Sequence, residues 1–241
     1  MPTPGSVIAS FPSTHRSWFE TQLTQLSDGS EPERAEALAR VRALLFERYR
    51  APLCAYVQVS RLRHLGDPDE LVHGYFVKLL DSCAGLHRWL DSGRPLRRWL
   101  LTGLLFHARG VARDVGRDRE IHPLGPGDAT LGVEASAERA FERAWCRELV
   151  EHAYAAAAES MEREGRGAQW EIFRRHVIEG QPYAPIAREL GVALHQCADA
   201  TRAALAEVRR ALRTAMIDEG VSREELSEDQ VLRSLLDGAA E

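Results

Sequence analysis

Apolar residues recur along this chain every three to four positions, the period of helices with one buried face. Over residues 33–49, Ala37, Val41, Leu44 and Leu45 repeat at that spacing. Leu53, Tyr56, Val57 and Leu62 extend the pattern beyond Pro52, whose missing N–H predicts a kink or a break. Asp67-Pro68-Asp69-Glu70 has the chemistry of a helix start: an aspartate that can cap, a proline at the first helical position and a glutamate at the reciprocal capping position. That helix continues through Leu71, Val72, Tyr75, Phe76, Leu79 and Leu80. Gly85 and Gly93-Arg94-Pro95 predict a loop, followed by a long helix from about Leu96 to Arg117 with Trp99, Leu100, Leu104 and Val111 on one face.

No segment alternates apolar and polar residues as a half-buried strand does, so the fold class is all-α. Residues 121–136 hold Pro123, Gly125-Pro126-Gly127 and Gly132 and read as a linker. Two helical domains follow, residues 1–120 and residues 137–241. The second opens with an alanine- and glutamate-rich helix over Ala137 to Glu164 and continues with Gln169 to Glu179, which presents Trp170, Phe173 and Val177. Gly180-Gln181-Pro182 is a turn.

The stretch from Gln181 to Val192 is the most diagnostic. Ile186, Ala187 and Leu190 form the apolar face of a short helix, Gly191 sits where the chain turns and Val192 packs behind it. A second helix runs from roughly Leu194 to Met216. This is the pattern of a helix-turn-helix, with a plain helical hairpin as the alternative.

Charge changes the picture more by its distribution than by its sum, which is −5. Six arginines lie between Arg97 and Arg119, and four between Arg202 and Arg213. Residues Asp218 to Glu241 carry eight acids against Arg223 and Arg233. The basic stripes suit phosphates and the acidic tail repels them. Lys78 is the only lysine. No apolar run approaches the roughly 18–20 residues that span a bilayer, and the first 13 residues lack a basic segment ahead of an apolar one. Membrane insertion and a signal peptide are therefore not expected, and the location expected is cytoplasmic. Cys54, Cys83, Cys146 and Cys197 are scattered and read as reduced thiols. Cys83 and His87 have no second ligand pair nearby, so no metal is expected.

Six short motifs, in order, resemble bacterial alternative sigma factors of the extracytoplasmic-function type, in the sigma-70 superfamily, particularly the long-linker members found in planctomycetes. They are Phe11 to Trp18 (FPSTHRSW), Tyr49 to Val57 (YRAPLCAYV), Asp67 to Phe76 (DPDELVHGYF), Arg97 to Leu101 (RRWLL), Phe141 to Trp145 (FERAW) and the Gln181 to Val192 turn. The resemblance covers nearly the whole chain. It implies that residues 1–120 dock on core RNA polymerase and meet the −10 element, and that residues 137–241 meet the −35 element of promoter DNA. Asp69, Glu70, Leu71, Tyr75 and Phe76 would contact the polymerase, with a core role as the alternative for the apolar ones. Trp99, Arg109, Arg113, Arg117 and Arg119 would contact DNA near −10. Gln196, Arg202 and Arg209 would do so near −35, Gln196 by amide contact with adenine. An anti-sigma factor or other regulatory protein is a further partner the resemblance allows.

The chain departs from that pattern in places. His73-Gly74 replaces a Gln-Glu pair, Gly110 stands at the usual asparagine, and the second helix of the turn motif opens with Ala193, Leu194 and Ala198, with Asp199 beside them. These departures open the alternative of a divergent sigma-like adaptor or decoy that keeps protein-binding surfaces and binds DNA weakly. An enzyme is the remaining alternative. HExxH, GxSxG, GxxxxGK[ST] and GxGxxG are all absent, and no cofactor is expected. The tail after Asp218 is expected to fold back as an amphipathic helix over the basic helices, or else to pack as a solvated terminal helix.

Overall fold

A computed structural model describes residues 15–114 and 128–220. All regular structure among them is helical: α1 (His15–Asp28), α2 (Glu31–Val59), a 3-10 turn (Arg61–Leu65), α3 (Pro68–Ser82), α4 (Ala84–Ser92), α5 (Leu96–Asp114), α6 (Asp128–Arg163), α7 (Gly167–Phe173) leading into a π-type turn (Arg174–Ile178), α8 (Tyr183–Leu190) and α9 (Leu194–Asp218). No described helix is long and apolar enough to cross a membrane.

Several boundaries differ from the sequence expectation for local reasons. α2 passes Pro52 without a break. The helix buries Tyr49, Leu53, Tyr56 and Val57 around the proline, and that packing outweighs one lost backbone hydrogen bond. Gly85 lies in α4 rather than in a loop. The chain turns at Cys83, which adopts the left-handed conformation with φ 51°. Its carbonyl then accepts the N–H groups of Leu86 and His87. Asp67 caps α3 as expected, accepting from the N–H groups of Asp69 at 2.8 Å and Glu70 at 3.2 Å. The last part of the expected linker, residues 128–136, is the start of α6.

Contacts divide the chain into two compact units. The first holds the described residues up to Ala144, together with residues 218–220. The second is Trp145–Ile217. The division falls within α6 and not at residues 121–136.

In the first unit, α1 and α3 pack on α2, and α3 packs on α5. Phe19 contacts Trp18 and Trp89 edge-on, with ring centroids 5.0 and 5.1 Å apart, and Phe46 meets Phe76 at 5.0 Å. Phe76 is fully buried, which contributes about 1.5–3 kcal/mol. A buried polar contact completes this unit: the Tyr49 hydroxyl donates to Glu219 Oε2 at 2.7 Å. Arg48 lies 3.6 Å from the other carboxylate oxygen. The second residue of the acidic stretch is therefore a buried, partnered glutamate. The fold-back expected of its remainder falls on residues 221–241, outside the described ones.

The second unit has two small cores. Ala157, Met161, Phe173, Ala204 and Val208 form one, with Tyr154, Trp170 and Leu205 packed against it. Ile172, Ile186, Ala187, Cys197 and Ala200 form the other, flanked by Tyr183 and Val192.

Candidate functional site

The first candidate surface is built by α3, α4 and α5. Gly103 lets α3 approach α5: a Cβ there would overlap the Tyr75 hydroxyl oxygen. Gly85 plays the same part for Trp99, since its Cβ would stand 3.1 Å from Trp99 Cη2 and 2.7 Å from Leu79 Cδ1. Between these close approaches the three helices enclose a cleft of about 660 Å³. Its cations are Lys78, Arg88 and Arg94, and its aromatic walls are Tyr75, Trp99 and Phe106. Ser82, Thr102 and His107 add polar groups, and no carboxylate among the described residues lines it.

The electrostatics follow from that composition. His107 is held below its ordinary pKa by burial first and by the Lys78 charge second. Burial also pushes the Tyr75 phenol well above its usual range. The Tyr75 hydroxyl is buried with no hydrogen-bond partner among the described residues, a penalty of about 1–3 kcal/mol. Phe106 is 63% exposed, and the Arg109 guanidinium sits 5.4 Å above its ring centroid, a cation–π arrangement. Arg113 is exposed one turn further along, its Nε directed to the Arg109 carbonyl at 3.4 Å.

The residues expected to meet polymerase separate into two sets. Leu71, Tyr75 and Phe76 are buried, so they serve the core and not a docking surface. This is the core role held open as the alternative for them; α3 turns these three inward because they form its apolar stripe. Asp69 is engaged locally, accepting from Arg50 at 2.7 Å and from the Cys54 thiol at 3.0 Å. Burial and then this hydrogen bond push the Cys54 pKa up to about 12. Glu70, His73 and Val77 remain on the exposed side of α3, with Val77 55% exposed.

Among the residues expected to meet DNA, Trp99, Arg109 and Arg113 share α5. Arg117 and Arg119 lie outside the described residues. Two arginines of the same basic run are tied to α6: Arg98 pairs with Glu142 at 3.1 Å, and the buried Arg97 lies 4.0 Å from it.

The second candidate surface is the corner between α8 and α9. Gly191 takes the left-handed conformation, φ 67°, which glycine adopts without strain. The Val192 N–H then returns to the Ala187 carbonyl at 3.0 Å. His176 stacks on Tyr183 at 3.7 Å and contacts the Gln181 carbonyl through Nδ1 at 2.8 Å. Arg175 bridges to Glu189 at 2.5 Å. Ile186 and Ala187 are buried as expected, but Leu190 is 40% exposed. α8 ends there, and Leu190 falls outside the core that Val192 covers.

On α9 the Gln196 side-chain oxygen accepts the Ala193 N–H at 2.8 Å, so this amide caps its own helix. Arg202 is engaged by Asp199, and Arg210 by Glu207. Arg209 is exposed and has no ion pair among the described residues. Leu194 is 57% exposed at the helix start.

Lys78, Arg88, Arg94, Phe106 and Val77 were not expected as site residues from the motifs alone. Lys78 carried a signal, being the only lysine. Phe106 carried another, lying seven positions after Trp99 on the same helical face.

No family model, no curated protein and no solved structure matches this chain.

Proposed function

We propose that this chain is a sigma-type initiation factor, similar to the extracytoplasmic-function group, that binds core RNA polymerase and directs it to promoter DNA. The observation supporting this most strongly is one face of α5. Trp99, Phe106 and Arg113 recur at seven-residue intervals, two helical turns each, and Arg109 covers the Phe106 ring. Aromatic platforms interleaved with cations hold a nucleic-acid strand by stacking bases and neutralising phosphates. The six ordered motifs support the same reading, and the α8–α9 corner has the turn chemistry of a helix-turn-helix. On this reading the partner-facing side of α3 is Glu70, His73 and Val77, an exposed apolar residue beside a carboxylate.

One observation favours a second reading, a sigma-like adaptor with weak DNA binding. The first turns of α9 spend Gln196 on a cap and Asp199 on Arg202, and they leave Leu194 exposed. That surface suits a protein partner better than a phosphate backbone.

Co-sedimentation with purified core RNA polymerase tests both readings at once. Stoichiometric binding that is weakened by Val77→Asp is the expected result. No binding at all would remove both.

A further inference from the structure

We propose that the cleft between α3, α4 and α5 is a binding site for a free small organic anion carrying one flat ring. The cleft lies in the first unit and shares Trp99 and Phe106 with the proposed nucleic-acid face.

Charge is the first argument. The chain has 36 acids against 31 lysines and arginines, yet among the described residues the cleft is lined by three cations and no carboxylate. None of Lys78, Arg88 and Arg94 has an ion-pair partner among the described residues. Cations that support a fold are usually paired, as Arg50 is with Asp69 and Arg98 with Glu142. Three that line one concavity without an ion pair among the described residues attract an anion.

Shape is the second argument. The volume of about 660 Å³ lies within the roughly 300–1,000 Å³ typical of small-molecule sites. The walls are aromatic, with Trp99 resting over Gly85 and Tyr75 against Gly103. Flat apolar walls favour a flat apolar body, and the rim cations favour a carboxylate or phosphate at its edge. The buried Tyr75 hydroxyl, which lacks a partner among the described residues, adds an unsatisfied polar group beside the cleft.

The composition of the chain supplies a direct readout. Lys78 is its only lysine, so an amine-selective N-hydroxysuccinimide ester acylates Lys78 and the terminal amine alone. Peptide mass mapping follows the two separately in the full chain. 5′-AMP and indole-3-acetate serve as anionic ring probes. Adenosine supplies a ring without charge, and inorganic phosphate supplies charge without a ring.

The expected result is that at least one anionic ring probe slows Lys78 acylation about fivefold once it reaches about four times its Kd. The terminal amine keeps its rate, and adenosine and phosphate do not protect. Arg88→Ala and Arg94→Ala should each reduce the protection while the circular-dichroism melt stays that of the parent. Absence of protection by both anionic ring probes at millimolar concentration would overturn the proposal. Equal protection by adenosine or by phosphate would overturn the joint requirement for ring and charge. Protection by a single-stranded oligodeoxynucleotide alone would overturn the small-ligand assignment and give the cleft to DNA.

Discussion

The Tyr75 hydroxyl lies flush against the α5 backbone at Gly103, so closely that a Cβ there would also stand 2.9 Å from Tyr75 Cζ and 3.1 Å from Cε2. Glycine inside a helix costs about 1 kcal/mol relative to alanine. Here that local cost is offset by the packing of α3 on α5. Gly103→Ala should therefore destabilise the protein by about 1–3 kcal/mol through overpacking, against the direction of helix propensity. Tyr75→Phe should stabilise the protein by about 1–3 kcal/mol, because the hydroxyl it deletes is buried without a partner among the described residues. Urea unfolding of both single variants and the double variant checks the contact. The double variant should recover part of the Gly103→Ala loss, whereas simple additivity within about 0.5 kcal/mol would contradict the packing account.

His107 gives the cleft a pH dependence with a definite sign. Its folded-state pKa lies below the ordinary 6.5, because burial disfavours the imidazolium and the Lys78 charge adds to the effect. The unfolded chain then binds more protons between the lower folded value and 6.5. The stability held by neutral His107 is complete above pH 6.5 and is lost as pH falls through the folded value. Denaturation midpoints measured from pH 7.5 downward should fall less steeply in His107→Gln than in the parent. Identical slopes would contradict the assignment.

Gln196 should act on stability before it acts on specificity. Its amide oxygen holds the Ala193 N–H at 2.8 Å, the acceptor half of a capping box. Gln196→Ala is expected to lower the thermal midpoint, by a loss of about 0.5–2 kcal/mol. Gln196→Glu keeps the acceptor and should retain most of that stability. A Gln196→Ala variant that melts with the parent would show that the cap contributes nothing.

The parts of the fold that were legible in the sequence are those set by short-range chemistry. Asp67-Pro68 declared the start of α3, and Gly191 followed by Val192 declared the corner before α9, because caps and left-handed turns need particular residues at particular places. The parts that were not legible depend on neighbours distant in sequence. Pro52 reads as a break until the burial of Leu53 and Tyr56 is known. Gly85 reads as a loop residue until Trp99 is found resting over it. Tyr75 and Phe76 could face a partner or the core, and only packing on Phe46 and Gly103 decides for the core. The cleft cations come from three separate elements, and no spacing rule joins Lys78, Arg88 and Arg94. Arg98 and Arg210 looked like phosphate ligands by composition, yet Glu142 and Glu207 engage them.

Binding to DNA should depend on the two α5 arginines in a salt-sensitive way. Arg113 and Arg109 have no ion pair among the described residues. If each meets one phosphate, each alanine variant should reduce the slope of log affinity against log salt by about 0.7–0.9. Fluorescence anisotropy with single- and double-stranded oligonucleotides across a salt series measures this. Arg202→Ala should change the slope little, since Asp199 already neutralises that arginine. Equal slopes for all three variants would contradict the placement of the nucleic-acid face on α5.

Run-off transcription with core RNA polymerase from the source organism, on a library of its genomic fragments, decides whether this chain initiates at promoters. A sigma factor should give discrete start sites that share spaced −10 and −35 elements, lost in a Trp99→Ala, Arg113→Ala variant that still binds core. Core binding by the parent without any promoter-dependent start would contradict the sigma-factor reading and leave the adaptor reading in its place.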